Sequence, residues 1–233
     1  MLKVEGLHTY YGRAHILADV GFEVVHGEVV VLLGRNGAGK STTMKSIMGL
    51  VPPAQGSIFF RGADIAGKQP FEIARLGIGY VPEDRRVFTE LTVEENLEVG
   101  RRPPHANAPA WTPEKLFALF PNLARMRDRA GSQMSGGEQQ MLTIARTLMG
   151  NPSFLLLDEP SEGLAPVIIE QMAKTILDLK REGLTVLLSE QNLRFARAVA
   201  DRALIIEKGR IRFTGTMAEL MANEAVRAQY LSL

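Results

Sequence analysis

Residues 34–41 combine glycines, one lysine and one hydroxyl at a spacing that suits the binding of a phosphate chain. The glycines let backbone amides curl around phosphate oxygens, Lys40 can reach the β- and γ-phosphates of a nucleotide, and the Ser41 hydroxyl can bind Mg²⁺. The aliphatic run at 29–33 should form a strand leading into this loop, and Lys40 should open a helix whose free N–H groups attract phosphate. An accidental glycine-rich turn is the alternative, and the strand and helix context weighs against it. The residues predicted to contact phosphate are Gly34, Asn36, Gly37, Ala38, Gly39, Lys40, Ser41 and Thr42.

Two acids directly follow a second aliphatic run, at 154–157. Ligands bind at the carboxyl ends of parallel strands, so Asp158 and Glu159 stand where a phosphate chain would lie. Asp158 can hold Mg²⁺, while Glu159, directed to the other side, can orient or deprotonate the water that attacks the γ-phosphate. A solvated acidic turn is the alternative. Because a phosphate loop lies in the same chain, we predict that Glu159 and Lys40 are catalytic and that Asp158 and Ser41 bind the metal.

A third group, Ser135-Gly136-Gly137-Glu138, matches the capping box of a helix N-terminus. Two glycines in a first turn cost helix stability, about 1 kcal/mol each against alanine, which is understandable if something must approach the backbone closely. A helix N-terminus flanked by glycines is a second type of phosphate receptor. We therefore predict that Ser135, Gly136, Gly137 and Glu138 contact a nucleotide, with a plain helix start as the alternative.

The rest of the sequence supplies the elements that must position these groups. Short β-branched and aliphatic runs predict strands, whereas capping patterns and first-turn prolines predict helix starts. Pro103, Pro104 and Pro109 indicate a linker. Predicted strands lie at 22–25, 29–33, 58–60, 78–81, 154–157, 185–188, 203–206 and 209–213, and predicted helices begin at Lys40, Pro70, Thr92, Thr112, Ser135, near Ile169 and at Thr216.

The order of these elements predicts an α/β fold. Alternating strands and helices in the last third imply a parallel sheet covered on both faces. We expect a single domain over 1–233, in which 1–83 and 151–233 form a three-layer nucleotide-binding core with an antiparallel N-terminal β subdomain. Residues 84–150 should form an inserted helical subdomain.

Length and composition narrow the class of protein. The chain has 233 residues, 45% hydrophobic and 23% charged, which are the values of an ordinary globular protein. The longest aliphatic runs are far too short to span a membrane, and Glu5 interrupts the N-terminal segment where an export signal would be apolar, so we expect a cytosolic chain. With no cysteine and four scattered histidines, any metal should be bound by oxygen. A net charge of +1 gives no reason to expect nucleic acid as a partner.

Taken together, the three motifs resemble the ATP-binding subunits of ABC transporters, whose motifs occur in the same order. The resemblance covers essentially the whole chain. It implies the P-loop NTPase fold of ABC ATPases, ATP and Mg²⁺ as ligands, and a head-to-tail dimer in which ATP on Lys40 of one protomer is covered by the Ser135 motif of the other. It also implies that Tyr11 stacks on adenine. Tyr10 is the alternative stacking residue, and a structural tyrosine is the third interpretation.

Two positions depart from the common pattern of that family. Glu83 stands where most members carry glutamine, and a carboxylate can meet Mg²⁺ or water but cannot donate to phosphate. Gln191 stands where most carry histidine; it keeps a neutral N–H donor for the γ-phosphate and loses the protonatable ring. We therefore predict Glu83 as a metal ligand and Gln191 as a catalytic residue.

These departures, with the segments 81–88 and 163–166, resemble the smaller ATPase of high-affinity branched-chain amino-acid importers, the LivF group. Membership implies a heterodimer with a second ATPase, two membrane permeases, an external solute-binding protein acting indirectly, and a place on the cytoplasmic face of the inner membrane. A homodimer is the alternative for the isolated chain. Urea and short-amide importers use similar ATPases, so they remain an alternative.

Two further functions are alternatives to the importer hypothesis. A soluble ABC ATPase of repair or translation would usually carry coiled-coil insertions, paired cassettes or basic extensions, which the sequence lacks. A regulatory module that hydrolyses ATP poorly is suggested by Gln191, but Glu159 argues against it. Within the importer hypothesis, Arg85, Arg86 and Phe88 follow Glu83 closely and could pass nucleotide-dependent movement to a permease; ordinary core packing of Phe88 and Leu91 is the alternative.

Overall fold

The computed structural model describes residues 1–104 and 109–231, and within them it contains two β-sheets and ten α-helices. The predicted linker includes residues 105–108, which lie outside this description. The strands are β1 (Leu2–Tyr11), β2 (Ala14–Val24), β3 (Val29–Leu33), β4 (Gln55–Phe60), β5 (Ala63–Asp64), β6 (Ile78–Val81), β7 (Phe154–Asp158), β8 (Thr185–Glu190), β9 (Arg202–Glu207) and β10 (Arg210–Thr216). The helices are α1 (Lys40–Ile47), α2 (Pro70–Arg75), α3 (Val93–Gly100), α4 (Pro113–Leu119), α5 (Pro121–Ala124), α6 (Gly136–Leu148), α7 (Pro166–Arg181), α8 (Leu193–Val199), α9 (Met217–Ala222) and α10 (Glu224–Tyr230).

The larger sheet has six strands in the order β10-β9-β3-β8-β7-β6. Its neighbours β9-β3, β3-β8, β8-β7 and β7-β6 are parallel, and β10 is antiparallel to β9. A mainly parallel sheet is therefore confirmed. Because the strands run parallel, the carboxyl ends of β3, β7 and β8 meet at one edge, where the phosphate loop and the acids of 158–159 follow them.

Strand β3 shows why the sheet is covered on both faces. All five of its side chains are fully buried. Val29, Val31 and Leu33 pack into the hydrophobic cluster on the side of α6 and α7, whereas Val30 and Leu32 pack into the cluster on the side of α1 and the smaller sheet. An uninterrupted aliphatic run is what a strand between two layers requires.

The smaller sheet is antiparallel, with the order β2-β1-β4-β5, which confirms the predicted N-terminal β subdomain. The inner side chains of β1 and β2, such as Leu7 and Val20, are fully buried against the cluster that contains α1. This sheet therefore supports the helix that follows the phosphate loop.

The segment between β6 and β7 contains α3 to α6 and a short 3-10 helix at Gly131–Gln133. Asn96 is fully buried, and its amide donates to the carbonyls of Phe88, Leu91 and Thr92, which fastens the loop before α3 onto that helix. The division at residues 84 and 150 stays a prediction, since one hydrophobic cluster includes both these helices and the sheet.

None of the helices in the described residues is both long and apolar enough to cross a membrane.

Candidate functional site

The phosphate loop leaves β3 and enters α1 in a tightly packed turn. A side chain at Gly34 would lie 2.5 Å from the Ile206 carbonyl oxygen, and one at Gly39, where φ is 113°, would lie 2.8 Å from Leu17. Gly37 also has a positive φ of 77°. A side chain at Gly34 or Gly39 would therefore force a rearrangement, whereas at Gly37 the positive φ alone favours glycine.

Helix α1 begins with its N–H groups uncapped. No side chain caps Gly39, and the first turn contains no acid, whereas α3, α6 and α9 all begin with complete capping boxes. An uncapped N-terminus carries partial positive charge and free donors. The start of α1 therefore fits a phosphate group.

Lys40, the first residue of α1, is buried, and its side chain lies against the loop. Its Nζ donates to the carbonyl oxygens of Gly34 at 2.8 Å and Arg35 at 3.1 Å, and it forms an ion pair of 3.0 Å with Glu159. Both partners of this pair are buried, with side-chain exposures of 2% and 6%. The structure thus brings the two predicted catalytic groups into direct contact.

Asp158, at the end of β7, is surrounded by hydroxyl groups. Its Oδ1 accepts from Ser41 at 3.0 Å and from Ser189 at 2.7 Å, and its Oδ2 accepts from Tyr80 at 3.2 Å. Burial and the charge of Asp158 raise the pKa of Tyr80, so the phenol stays a donor. The Ser41 hydroxyl and the Asp158 carboxylate form a pair of hard oxygen ligands of the kind that Mg²⁺ takes together with phosphate oxygens and water.

Glu159 points away from Asp158, as predicted, and has a left-handed backbone with φ of 45°. Its Oε2 accepts from Gln191 at 2.7 Å, and its backbone N–H donates to Ser189 at 3.0 Å. Burial raises the pKa of Glu159, but hydrogen bonds from Gln191, Glu162 and Lys40, with the charge of Lys40, outweigh burial, so the pKa lies below its ordinary value. The carboxylate is therefore ionised at neutral pH, as a general base must be.

Glu162 lies beside Glu159, and a further carboxylate, Glu83, lies close to Glu162. A hydrogen bond with Glu159 raises the pKa of Glu162 to about 7, with contributions from burial and from the charges of Glu159 and Glu83. Glu83 itself is exposed in the loop after β6. Glu83, predicted as a metal ligand, is thus close enough to influence Glu162, and its contact with a metal stays a prediction.

Gln191 follows β8 and faces the phosphate loop. Its Nε2 donates to Asn36 at 2.6 Å as well as to Glu159. A neutral amide that bridges the phosphate loop and the acid after β7 can donate a hydrogen bond to a γ-phosphate placed between them. Its catalytic role stays a prediction.

The two tyrosines offered for adenine stacking, Tyr10 and Tyr11, are exposed to a similar degree but differ in their contacts. The Tyr10 ring already stacks on His15, with centroids 4.3 Å apart, and His15 is hydrogen-bonded to His8 at 3.1 Å. Thr9, the preceding residue, points inward to Ser46 of α1. Tyr11 is 46% exposed at the end of β1. These contacts favour Tyr11, whose role stays a prediction.

The Ser135 motif opens α6 as predicted. Ser135 accepts from the Glu138 N–H, and Glu138 accepts from the Ser135 N–H at 2.7 Å. The two glycines are crowded by different neighbours: a side chain at Gly136 would meet the Arg85 guanidinium, and one at Gly137 would meet Ile168.

Sequence reasoning did not assign roles to Ser189, Tyr80, Glu162 or Glu190. Ser189 contacts both Asp158 and the backbone of Glu159, and so it orients both acids. The sequence feature that could have identified Ser189 is its position at the carboxyl end of a predicted parallel strand. Tyr80 carries a weaker signal, because its hydroxyl reaches Asp158 from the neighbouring strand β6.

The sequence and the fold of this chain are similar to those of known proteins. Residues 17–162 match the ABC transporter family. The chain is 47% identical over 231 residues to the high-affinity branched-chain amino acid transport ATP-binding protein BraG of Pseudomonas aeruginosa, covering 99% of each protein. It is 39% identical over 233 residues to the lipopolysaccharide export system ATP-binding protein LptB of Haemophilus influenzae, covering 99% of this chain and 97% of that protein. A crystal structure of a nucleotide-free ATP-binding cassette from an ABC transporter superposes with a TM-score of 0.83 at 29% identity, covering 97% of this chain and 96% of the other.

Proposed function

This chain belongs to the ABC transporter family, and since it is an ATPase subunit of that family, we propose that it drives the uptake of branched-chain or related amino acids. The observation that carries the choice of solute is the match to BraG along the full length of both chains. The match to LptB makes lipopolysaccharide export the second candidate. In both cases the subunit would work at the cytoplasmic face of the inner membrane, held there by permeases.

The contacts within the site support a division of roles for ATP hydrolysis. The loop at 34–41 and the start of α1 would hold the phosphates, and Lys40 would exchange its bonds to loop carbonyls for bonds to phosphate oxygens. Glu159, ionised and hydrogen-bonded to Gln191, would take a proton from the attacking water. Gln191 would donate its N–H to the γ-phosphate.

Ser41 and Asp158 would hold Mg²⁺, with Glu83 as a further ligand. When bound, Mg²⁺ neutralises charge on the β- and γ-phosphate oxygens. Ser189 and Tyr80 would keep the Asp158 carboxylate oriented, because they donate to its two oxygens.

The Ser135 motif would act on a second ATPase subunit. Its polar side chains satisfy each other, and Ser135, at the start of the helix, is exposed. We expect it to cover the ATP bound by the partner in a heterodimer, with a homodimer as the alternative for the isolated chain.

A groove of about 770 Å³ between α2, α3 and α6 would receive the permease. Four of the large apolar side chains that line it are exposed, which is unusual for a soluble surface. They are Leu50, Phe71, Phe88 and Val99, at 46%, 57%, 47% and 49% exposure, and the groove also contains Arg75, Arg86, Arg102 and Arg146. This composition suits an apolar permease helix that carries an acidic residue. Phe88 is therefore a surface residue here, while Leu91 is half-buried.

Side chains of α6 connect the groove to the loop after β6. Arg146 of α6 lies over the Phe88 ring at 4.8 Å and donates to the Arg86 carbonyl at 2.6 Å, and Thr143 donates to the Arg85 carbonyl at 2.7 Å. Replacing Arg85 and Phe88 together should uncouple transport while ATP binding is retained. Unchanged transport would contradict this role.

The first experiment is a pull-down of the Glu159→Gln variant, trapped with ATP in its native membranes, followed by identification of the proteins that accompany it. Recovery of a different ATPase together with the two permeases of a branched-chain amino-acid importer would support the proposal. Recovery of components of a lipopolysaccharide exporter or of a urea importer would show that the proposed solute is wrong and would identify the other substrate. Recovery of the chain alone, or with ribosomes or DNA, would contradict the transport function.

Turnover separates an active motor from a regulatory module. Gln191→Ala should lower ATP turnover by roughly 10²- to 10³-fold, because one aligned donor is lost. Glu159→Gln should retain ATP binding and nearly abolish hydrolysis. Hydrolysis retained in Glu159→Gln would remove Glu159 as the base.

A further inference from the structure

A buried acid that the proposed chemistry does not use, Glu190, lies directly behind the candidate site. It is the last residue of β8, pairs with Leu33 across the sheet, and is only 2% exposed. Burial raises the pKa of its carboxyl group, a tendency opposed by hydrogen bonds from Ser161, Asn192 and Gln191. Burying a carboxyl group is costly, so these hydrogen bonds need to be retained.

The carboxylate joins two loops that belong to different strands. Oε1 accepts from the Ser161 N–H at 3.0 Å, in the loop that follows Glu159. Oε2 accepts from the N–H groups of Gln191 and Asn192, each at 3.2 Å, in the loop that follows β8. A single side chain therefore fixes the backbone on both sides of the contact between Gln191 and Glu159.

Asn192 extends the same arrangement into α8, because its side chain accepts from the Phe195 N–H and caps that helix. The backbone of Gln191 is thus held at its own N–H and through the residue that follows it. Gln191 Nε2 must reach both Asn36 and Glu159 from this backbone, and a shift of about 1 Å can cost roughly 10²-fold in rate.

We infer that Glu190 is a positioning residue for ATP hydrolysis, which holds the Gln191 loop and the Ser161 loop in the register that places Gln191 on Glu159. The inference rests on the proposed roles of Glu159 and Gln191. It adds that Ser161 and the residues after it move together with Gln191, so that a displacement of Gln191 by the γ-phosphate reaches the 161–165 loop.

Glu190→Gln tests the inference, because the amide keeps the volume but offers one oxygen in place of two. We expect kcat of the full-length protein to fall about 10- to 100-fold, while the Kd for ATP changes by no more than about 2-fold. The matched control is Glu28→Gln. Glu28 is also a buried acid, 8% exposed, that accepts from the Val25 N–H and from Arg202. It directly precedes β3, at the end of the strands opposite the candidate site. This control should leave kcat within about 2-fold.

A double-mutant cycle with Gln191→Ala separates positioning from general loss of structure. If Glu190 acts through Gln191, Glu190→Gln adds no more than about 2-fold to the loss in kcat of Gln191→Ala. Equal factors in both backgrounds, or no effect of Glu190→Gln alone, would overturn the inference. A Gln191→Ala variant with normal kcat would instead contradict the proposed role of Gln191.

Glu190→Asp keeps the experiment decisive if Glu190→Gln does not fold. The shorter acid can still accept from N–H groups one and two residues ahead, as aspartates do in turns, but it should not reach Ser161. We expect a loss in kcat of less than about 10-fold, again absent in the Gln191→Ala background. A loss that persists unchanged there contradicts the inference.

Discussion

The paired glycines at the start of α6 should respond differently to alanine, although they are neighbours in one helical turn. A Cβ at Gly136 would lie 2.5 Å from Nη1 and 3.2 Å from Cζ of Arg85. A Cβ at Gly137 would lie 3.0 Å, 3.1 Å and 3.5 Å from three carbons of Ile168. Neither glycine has a positive φ, so backbone strain does not enter the comparison.

The magnitudes follow from the nature of the two neighbours. A guanidinium at the end of a flexible side chain can move aside, and alanine gains up to about 1 kcal/mol of helix propensity over glycine, so Gly136→Ala should change the free energy of unfolding by less than about 0.5 kcal/mol. Ile168 is β-branched, stiff and held in α7, so Gly137→Ala should lose about 1 to 2 kcal/mol through overpacking.

Urea unfolding of both variants, followed by circular dichroism, measures the difference. Arg85→Ala provides the control: in that background Gly136→Ala should be stabilising, by about 0.5 to 1 kcal/mol, because the three atoms nearest to its Cβ are gone. Equal destabilisation by the two alanines, or a Gly136→Ala effect that ignores Arg85→Ala, would refute the reasoning. ATP turnover should fall in Gly136→Ala even where stability is retained, because the displaced Arg85 belongs to the loop that follows β6.

Three further predictions concern the nucleotide site. Tyr11→Ala should weaken ATP binding by roughly 5- to 150-fold in a fluorescent-nucleotide titration, because a stacked base is worth about 1 to 3 kcal/mol, whereas Tyr10→Ala should have little effect; the reverse order would reassign the stacking residue. The pKa of Glu162 is raised from 4.5 to about 7, so the folded state binds more protons than the unfolded chain in that interval, and stability should fall as pH rises through it. Glu162→Gln should remove this fall in urea titrations between about pH 5 and 8, and an unchanged slope would show that Glu162 is not its source. Lys40→Met should abolish ATP binding and cost about 3 kcal/mol in stability, since it leaves the buried Glu159 without its cation, and adding Glu159→Gln should recover most of that loss; no recovery would contradict the ion pair as its cause.

Much of the fold was predictable because its signals are local. The run at 29–33 and the strand at 78–81 have the bounds that the sequence predicts, and Ser135 opens α6 through its capping box. Strands β1 and β5 and helices α5, α8 and α10 were not predicted. Apart from the ten-residue β1, these elements are short, and short elements depend on packing rather than on periodicity.

The site was predictable where one motif holds its residues in sequence, and less so where distant strands meet. Lys40 and Glu159 could be assigned separately, but their 3.0 Å ion pair depends on the adjacency of β3, β8 and β7. Ser189 and Glu190 are ordinary strand-end residues in sequence. Only the parallel register, which sets Asp158 opposite Ser189, shows what they support.

The central place of β3 also bears on how the protein is made. Its two neighbours in the sheet, β8 and β9, lie more than 150 residues further along the chain. Gly209, later still, accepts from the Ala18 N–H and donates to the Ala38 carbonyl inside the phosphate loop. Synthesis from the N-terminus therefore yields the loop sequence long before the strands that shape it, and such long-range parallel pairing forms slowly. A ribosome-bound chain ending before β8 should hold no nucleotide, so ATP can stabilise this protein only after nearly all of it has left the ribosome.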